Sequence, residues 1–261
     1  AGEVLGSLIH TEDVTDKRSR EARLRRAESL AALTTLAAGV AHEINNPLGS
    51  IGIHIQLIQK SLAAQQSADQ ESISKYLEVV MEEVERLNGI VIDFLFAVRP
   101  MNTELERREL NALVHDTIEF VKFELEEAGV SVEESYTEPL PNLDLDEKYI
   151  KQALLNIIKN AIGAMPKGGE LLIRTIIDAG DVVLQISDTG VGVPDENIAK
   201  IFEPYFTTKE FGSGLGLTVV YKIIQEHGGE ITLSSKKGEG TTFSLSFPVP
   251  AGERKLIEWE A

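Results

Sequence analysis

Apolar residues in the first part of the chain recur every three or four positions, the period of a helix with one buried stripe. The first run begins near Leu30, and a polar stretch at 65–70 predicts a turn between it and a second run that ends at Pro100. The pattern therefore predicts two long helices joined by a short loop. The stripe positions are Leu33, Ala37, Val40, Ile44, Pro47, Ile51, Ile55, Ile58 and Leu62, then Leu77, Val80, Val84, Leu87, Val91, Phe94 and Val98.

A helical hairpin of this kind buries only one side of each helix and leaves apolar surface in water. We therefore expect a homodimer in which two hairpins form a four-helix bundle. The densely charged residues 17–28 continue the stripe toward the N-terminus and predict a coiled-coil entry helix. Residues 1–16 are too few for a domain, and we interpret them as the cut end of a preceding module.

After Pro100 the pattern changes to alternating strands and helices, and the chain as a whole is predicted to be an α+β multidomain protein. Helices on one side of a mixed sheet make the expected fold of this part an α/β sandwich. The predicted elements are a strand at 105–110, a helix at 111–128, a strand pair at 130–136 and 142–145, a helix at 146–164, a hairpin at 170–177 and 181–187, a helix at 215–226 and a strand pair at 230–234 and 241–247.

Composition narrows the classes of partner. The 261 residues carry 42 acidic and 25 basic side chains, a net charge of -17, of which -13 falls after Pro100. This excess argues against binding to nucleic acid or anionic lipid. The chain has no cysteine, which excludes disulfides, thiolate zinc sites and cysteine nucleophiles. No apolar run reaches the ~18 residues of a membrane span, so we expect a cytoplasmic protein, or the cytoplasmic part of a longer membrane-anchored sensor.

The first group of chemically interesting residues lies in the first helix. At about 100° per residue, His42 falls about 200° around the helix from the stripe residue Val40, so its imidazole points away from the seam. A lone histidine is usually a surface or satisfied core residue. Here it has Glu43 beside it, Asn46 one turn later and Pro47 distorting the helix. A neutral imidazole is a nitrogen nucleophile, and an adjacent carboxylate can accept its proton.

The second group is a pair of asparagines, Asn156 and Asn160, on the predicted helix at 146–164. A spacing of four places both amides on one face, where an amide oxygen is a suitable ligand for Mg²⁺. Solvated or capping residues are the alternative interpretation.

Glycines border the remaining groups. Asp188 follows an apolar strand and precedes Gly190 and Gly192; it can accept from the amine of a purine, or belong to an ordinary turn. A run of alternating glycines, Gly212, Gly214 and Gly216, opens a helix and presents N–H groups to an anion such as a triphosphate. Neither a dinucleotide fingerprint nor a P-loop matches this spacing. Aromatic residues at 202–206 form either a lid hinge or core.

Taken in order, His42-Glu43-x-x-Asn46-Pro47, Asn156-x-x-x-Asn160, Asp188-x-Gly190-x-Gly192, Phe202 to Lys209 and Gly212-x-Gly214-x-Gly216 resemble the H, N, G1, F and G2 boxes of the sensor histidine kinase family. The helix at 218–227 with Gly228-Gly229, and Gly238-x-Gly240-Thr241-Thr242-Phe243, are also similar to the ATP-binding domain of that family. Residues 12–16 resemble the exit of a PAS sensory domain.

The resemblance implies a two-component signal transduction protein: a transferase and phosphoprotein that uses ATP and Mg²⁺. His42 would be the phosphoacceptor, Glu43 its acid/base partner, and Asn46 would position water or an acyl phosphate in a phosphatase reaction. The receiver domain of a response regulator would take the phosphoryl group on an aspartate. The implied nucleotide-binding residues are Asn156, Asn160 (which also holds the metal), Asp188, Gly190, Gly192, Lys209, Gly212, Gly214, Gly216 and Thr242.

The resemblance also implies domain boundaries: a PAS remnant at 1–16, the phosphoacceptor and dimerisation hairpin at 17–100, and the catalytic ATP-binding domain at 101–261. A hinge at 100–103 would let the two domains meet. Gly163 departs from the family pattern, where a charged or longer polar residue is frequent; Lys209 or Lys159 could supply the missing cation. Two other classes stay open, an ATPase of the wider family that shares this nucleotide pocket and a catalytically silent dimeric scaffold.

Overall fold

The structure, a computed structural model, describes residues 40–41, 44–62, 70–98, 101–207 and 214–250. The first part is the helical hairpin that the sequence predicts. Helix α1 covers 44–62, with residues 40–41 also helical, and α2 is Gln70–Val98. The His54 ring on α1 lies against the Tyr76 ring on α2, with 5.9 Å between the centroids. None of the helices described has the length and apolar content needed to cross a bilayer.

In the single chain the apolar residues of α2 divide between two faces, as expected of a hairpin that buries only one side of each helix. Val80, Leu87 and Phe94 are half-buried, whereas a second stripe is exposed to solvent. Each helix of a pair covers only one side of the other, so apolar residues on the remaining sides stay exposed to water. This second stripe consists of Leu77, Met81, Val84, Val91 and Leu95.

The second part of the chain is an α/β sandwich. Its elements are β1 (Glu106–Arg108), α3 (Leu110–Glu127), β2 (Val130–Ser135), β3 (Leu143–Leu145), α4 (Glu147–Ala164), β4 (Gly169–Asp178), β5 (Asp181–Asp188), α5 (Asp195–Ile198), α6 (Gly216–Glu226), β6 (Glu230–Lys236) and β7 (Gly240–Pro248). Five strands form one sheet in the order β2-β4-β5-β7-β6, with β2 parallel to β4 and the other neighbours antiparallel.

The core lies between this sheet and the helices. Alternate residues of β4, β5 and β7 point inward, among them Ile173, Leu184 and Leu245, and all are almost completely buried. On the helical side α4 lies between α3 and α6 and contacts both. Helix α6 in addition contacts α2 of the hairpin, so one helix touches both parts of the chain.

One predicted strand pairing is wrong. The strands at 130–136 and 142–145 do not pair with each other: β2 joins the five-stranded sheet beside β4, and β3 pairs with β1 in a separate two-stranded sheet. The connection between them contains Pro139 and Pro141. A proline has no backbone N–H for a ladder, and two of them in so short a segment oppose a hairpin.

The predicted hairpin around Ala179-Gly180 and the terminal pair of β6 with β7 are confirmed. Ala179 and Gly180 both have positive φ, at 50° and 88°, as the two central residues of a type I′ turn require. The helices and strands of this half therefore fall where the hydrophobic pattern places them, and they bring the end of β5 and the start of β7 next to the last part of α4.

Candidate nucleotide-binding site

A cavity of about 590 Å³ lies where the last part of α4, the end of β5, the segment at 201–207 and the start of α6 meet. Small-molecule sites in proteins are typically ~300–1,000 Å³. The residues singled out in the sequence that line it are Asn156, Asn160, Asp188, Gly192, Gly214 and Gly216, together with Gly163. The topology therefore brings together residues that are up to 60 positions apart along the chain.

The two asparagines face the cavity from α4, as their spacing predicts. Asp146 directly precedes the helix, and its carboxylate caps it by accepting from the amides of Lys148 at 3.1 Å and Tyr149 at 3.3 Å. Asn156 donates through Nδ2 to the carbonyl oxygen of Gly216, at 3.2 Å. Its amide thus joins α4 to the first residue of α6, while Asn160, one turn later, lies in the wall of the cavity.

Asp188 ends β5 inside the protein, with only 8% of its surface exposed. One carboxylate oxygen, Oδ1, accepts from the amide of Gly190 at 2.9 Å. A β carbon on Gly190 would lie 2.8 Å from this oxygen and 2.7 Å from the Ala164 carbonyl oxygen, so Gly190 supports the carboxylate from behind and is not itself in the lining. A buried carboxylate held in this way is a fixed hydrogen-bond acceptor.

Gly214 lies against the backbone of the segment at 201–207. Its φ is +63°, and a β carbon there would lie 2.4 Å from the carbonyl carbon of Tyr205. The amide of Tyr205 donates to the Gly214 carbonyl oxygen at 3.1 Å. Gly214 is therefore required for a close backbone approach, whereas a β carbon on Gly216 would meet nothing nearer than 3.9 Å.

The structure does not bring Thr242 to the cavity. Its hydroxyl lies 2.9 Å from that of Ser187, and both residues line a wider groove on the other face of the sheet. Neighbouring residues of a strand point to opposite faces, so it is Thr241 that lines the cavity and is buried there. The structure thus places Thr241, and not the predicted Thr242, in the cavity wall, because a sequence motif does not reveal which face of a strand its residues occupy.

The apolar part of the wall was not predicted residue by residue. It comprises Val191, Val193, Ile201, Phe206, Leu217 and Phe243. Both Phe202 and Phe206 pack against the core, but only Phe206 also lines the cavity. The Phe202 ring lies 6.0 Å from the Tyr221 ring. The aromatic enrichment of the segment at 201–207 in an aromatic-poor chain was the available clue.

The lining that the structure describes contains two charged side chains, Lys159 and Asp188. Lys159 precedes Asn160 on α4 and lies between this cavity and a shallow depression beside Glu124 and Glu127 on α3. Lys209 and Gly212 lie outside the described residues. The cavity thus has a buried charged acceptor near β5 and a cation on α4, and the rest of its wall is made of apolar and uncharged polar residues.

In the hairpin, His42 and Glu43 lie outside the residues that the structure describes. Asn46 is exposed on α1, and the next residue, Pro47, is buried. The exposed amide is accessible to a molecule that approaches the outer side of the hairpin.

Comparison with known proteins adds two family matches. The family described as His Kinase A (phospho-acceptor) domain matches residues 32–102. The family described as Histidine kinase-, DNA gyrase B-, and HSP90-like ATPase matches residues 145–251. The two domains occur in the predicted order, on the hairpin and on the sandwich. The chain belongs to the sensor histidine kinase family.

Several sensor histidine kinases are similar to the chain along most of its length. Sporulation kinase E of Bacillus subtilis is 34% identical over 93% of this chain and 32% of its own length. The signal transduction histidine-protein kinase AtoS of Escherichia coli is 35% identical over 98% of this chain and 41% of its own. The chain therefore spans less than half the length of these two relatives.

The fold is also similar to that of a solved histidine kinase. The structure of histidine kinase ThkA in complex with the response regulator protein TrrA has a TM-score of 0.77 and 29% identity, covering 92% of this chain and 68% of that one. The predicted fold class, a helical hairpin followed by a sandwich-type ATP-binding domain, is confirmed.

Proposed function

We propose that this chain is the catalytic part of a two-component sensor kinase, which uses ATP to phosphorylate His42 and then passes the phosphoryl group to an aspartate of a response regulator. The observation that carries the proposal is the cavity between α4, β5 and α6, which unites Asn156, Asn160 and Asp188 in a chain whose hairpin matches a phosphoacceptor family. The domain boundaries proposed for these two activities are 17–100 and 101–261.

The residues of the cavity fit a purine nucleotide. The apolar wall is suited to the ring, and the buried Asp188 carboxylate to its exocyclic amine, because a fixed acceptor favours a donor. At the other side, Lys159 and the amides at the start of α6 are suited to phosphates. The Asn160 side-chain oxygen is the hard ligand that Mg²⁺ prefers; the ion, when bound, would neutralise phosphate charge. Asn156 contributes by holding the start of α6 in place through its hydrogen bond to the Gly216 carbonyl oxygen.

The phosphoryl transfer needs alignment more than covalent help from the protein. A ring nitrogen of His42 attacks the γ-phosphorus, the bond from that phosphorus to the bridging oxygen breaks, and ADP leaves. Glu43 accepts the proton from the other ring nitrogen. An aspartate carboxylate of the receiver domain later attacks the phosphohistidine and regenerates His42. Asn46 positions water or the acyl phosphate when the reaction runs as a phosphatase.

The second stripe on α2 supports a homodimer. Its five apolar side chains are between 38% and 63% exposed in the single chain, and they follow one another by three, four or seven positions. A row with this period is typical of a helix that packs against another helix. On α1, Leu48, Ile55 and Leu62 are exposed with a spacing of seven. Two copies packed through these residues would make the four-helix bundle.

The proposal includes a place of action and an N-terminal context. ATP and the receiver domain are expected in the cytoplasm, and residues 1–16, which lie outside the described ranges, are proposed to be the end of a PAS module. The ThkA structure contains a response regulator, which supports a receiver domain as the partner of this hairpin too.

Incubation with Mg²⁺ and γ-labelled ATP tests the proposal. Wild type should acquire label that acid removes and base does not, as expected of phosphohistidine, and His42→Gln should abolish labelling while nucleotide binding is retained. His54→Gln, which changes a histidine of α1, should label normally. Undiminished labelling of His42→Gln would refute the assignment; nucleotide binding without any labelling of wild type would favour the ATPase or scaffold alternatives.

A further inference from the structure

The buried histidine at the end of α6 has no part in the chemistry above, yet both of its ring nitrogens are used. His227 is 6% exposed. Its Nδ1 lies 2.7 Å from the carbonyl oxygen of Ile223, and its Nε2 accepts from the backbone amide of Asp146 at 2.9 Å. A carbonyl oxygen can only accept and an amide N–H can only donate. The two contacts together therefore require a neutral ring with its proton on Nδ1.

The backbone amide that donates to His227 belongs to Asp146, the residue that caps the start of α4. Asp146 caps this helix with Oδ1, and its Oδ2 accepts from the amide of Glu104 at 2.9 Å. The carboxylate is thus committed to α4 and to the segment before β1. The backbone N–H of Asp146 is left for α6, and the imidazole is long enough to reach it from the end of that helix.

A second hydrogen bond joins the same two helices at the opposite end of α6, where Asn156 donates to the carbonyl oxygen of Gly216. The two bonds are separated by about 15 Å along α4 and about 16 Å along α6, at 1.5 Å per residue. Two attachments with matched spacing fix both the sliding and the tilt of one helix relative to the other, which packing of apolar side chains alone does not do as sharply.

The fixed alignment matters because each helix carries one side of the cavity. Asn160 and Lys159 are presented by α4, while Gly216 and Leu217 are presented by the start of α6. We propose that His227 is a positioning residue for nucleotide binding, holding the Asn160 side of the cavity at the correct place against the glycine side. This inference rests on the proposed function, since it assumes that the cavity binds ATP.

Two uncharged substitutions test the two hydrogen bonds of the His227 ring separately. His227→Gln has the length to place an oxygen near the former Nε2 and still accept from the Asp146 amide. His227→Asn is shorter; it can donate to Ile223 but cannot reach Asp146. His115→Gln, at an exposed histidine on α3, is the matched control. Calorimetric titration of the full chain with Mg-ADP avoids turnover, and circular dichroism selects a temperature at which all variants are folded.

We expect His227→Asn to weaken Mg-ADP at least tenfold, and His227→Gln and His115→Gln to stay within about threefold of wild type. Wild-type affinity in His227→Asn, with or without a lower melting temperature, would show that the bond to Asp146 does not position the site. Equal weakening by Asn and Gln would also overturn the inference. Failure of the wild-type chain to bind Mg-ADP would instead refute the proposed function, and the positioning role of His227 with it.

A spectroscopic measurement reports on the same bond and applies even if His227→Asn does not fold. Nitrogen-15 labelling of the five histidines, with His227→Gln to assign the signal, should show the proton of His227 on Nδ1 and Nε2 as an acceptor. That tautomer is fixed by the contacts with Ile223 and Asp146 and not by burial alone. A proton on Nε2 would contradict the proposed bond.

Discussion

Gly214 and Tyr205 pass so closely that a β carbon on Gly214 would lie 2.4 Å from the Tyr205 carbonyl carbon, and the Tyr205 amide donates to the Gly214 carbonyl oxygen. Tyr205 itself has a φ of 65°. The aromatic segment and the glycine-rich segment are therefore one structural unit, and the shape of the cavity on that side depends on both.

Gly214→Ala should weaken ATP binding at least tenfold. The new β carbon cannot fit beside Tyr205, and a residue other than glycine at positive φ adds strain of about 1–2 kcal/mol. Gly180→Ala is the matched control, because Gly180 also has positive φ but has nothing within 4 Å of its hypothetical β carbon. It should lower stability slightly and leave calorimetric ATP affinity unchanged. Normal affinity in Gly214→Ala would mean that this contact does not shape the site.

Asp188→Asn should weaken ATP binding roughly tenfold to a hundredfold, because a hydrogen bond to a charged group contributes about 1.5–3 kcal/mol. An asparagine can keep an acceptor toward the Gly190 amide only by turning its NH₂ to the other side. That group would face the purine amine as a second donor, so the preference for ATP over GTP should also narrow. Asp195→Asn, an exposed aspartate on α5, serves as control. Competition binding with unchanged ATP preference in Asp188→Asn would exclude Asp188 as the base-recognising group.

Lys159→Met should weaken ATP roughly threefold to fivefold and leave adenosine binding unchanged. Lys159 is a charged residue at the mouth of the cavity, and an exposed charge pair contributes up to about 1 kcal/mol. Lys148→Met makes the same change on the same helix at a distant, exposed position. Titrations at two salt concentrations should show the difference shrinking as salt rises. If adenosine and ATP were weakened equally, Lys159 would not be acting on the phosphates.

Val84→Glu should convert the dimer to monomer, because the change places a charge within the second stripe of α2. Burying a carboxylate against apolar neighbours without a partner costs several kcal/mol. Val84→Leu keeps the position apolar and should remain dimeric. Sedimentation velocity at micromolar concentration distinguishes the two species. A dimeric Val84→Glu would place the subunit interface on another face.

Asn46→Ala should spare phosphorylation of His42 but slow dephosphorylation of the cognate receiver. Its side chain is exposed on α1 and is therefore accessible to a docked partner. Asn45→Ala, at the neighbouring exposed position, is the control. Loss of phosphoryl label from the receiver, followed over time, measures the effect, and an unchanged rate in Asn46→Ala would remove this residue from the phosphatase reaction.

Local pattern was enough to predict most of the fold. The helical period identified the hairpin, and the alternation in β4, β5 and β7 identified the sheet, because burial on one face leaves a periodic trace in the sequence. The pairing of β2 with β4 left no such trace: it joins segments some 40 positions apart and is decided by packing. The half-buried and the exposed apolar residues of α2 were likewise merged into one predicted stripe, because both sets recur with the same helical period.

The site was predictable as a set of residues and not as a geometry. Spacing placed Asn156 and Asn160 on one face of α4, but nothing in the motif shows that Asn156 bonds to Gly216. Thr242 was predicted in the site, but Thr241 lines the cavity; which of two neighbouring residues faces the cavity depends on strand register, and long-range pairing sets that register. His227 was noted only as part of a motif, and its bond to Asp146 links positions 81 residues apart.

The spacing of the exposed side chains on α2 constrains how this rod can be lengthened or shortened. One residue inserted in the middle of the helix would turn everything beyond it through about 100°, so half of the apolar row would face a different direction from the other half. An insertion of seven residues restores the original phase to within about 20°. Length changes within α2 are therefore tolerable only where they restore this phase, as an insertion of seven residues does.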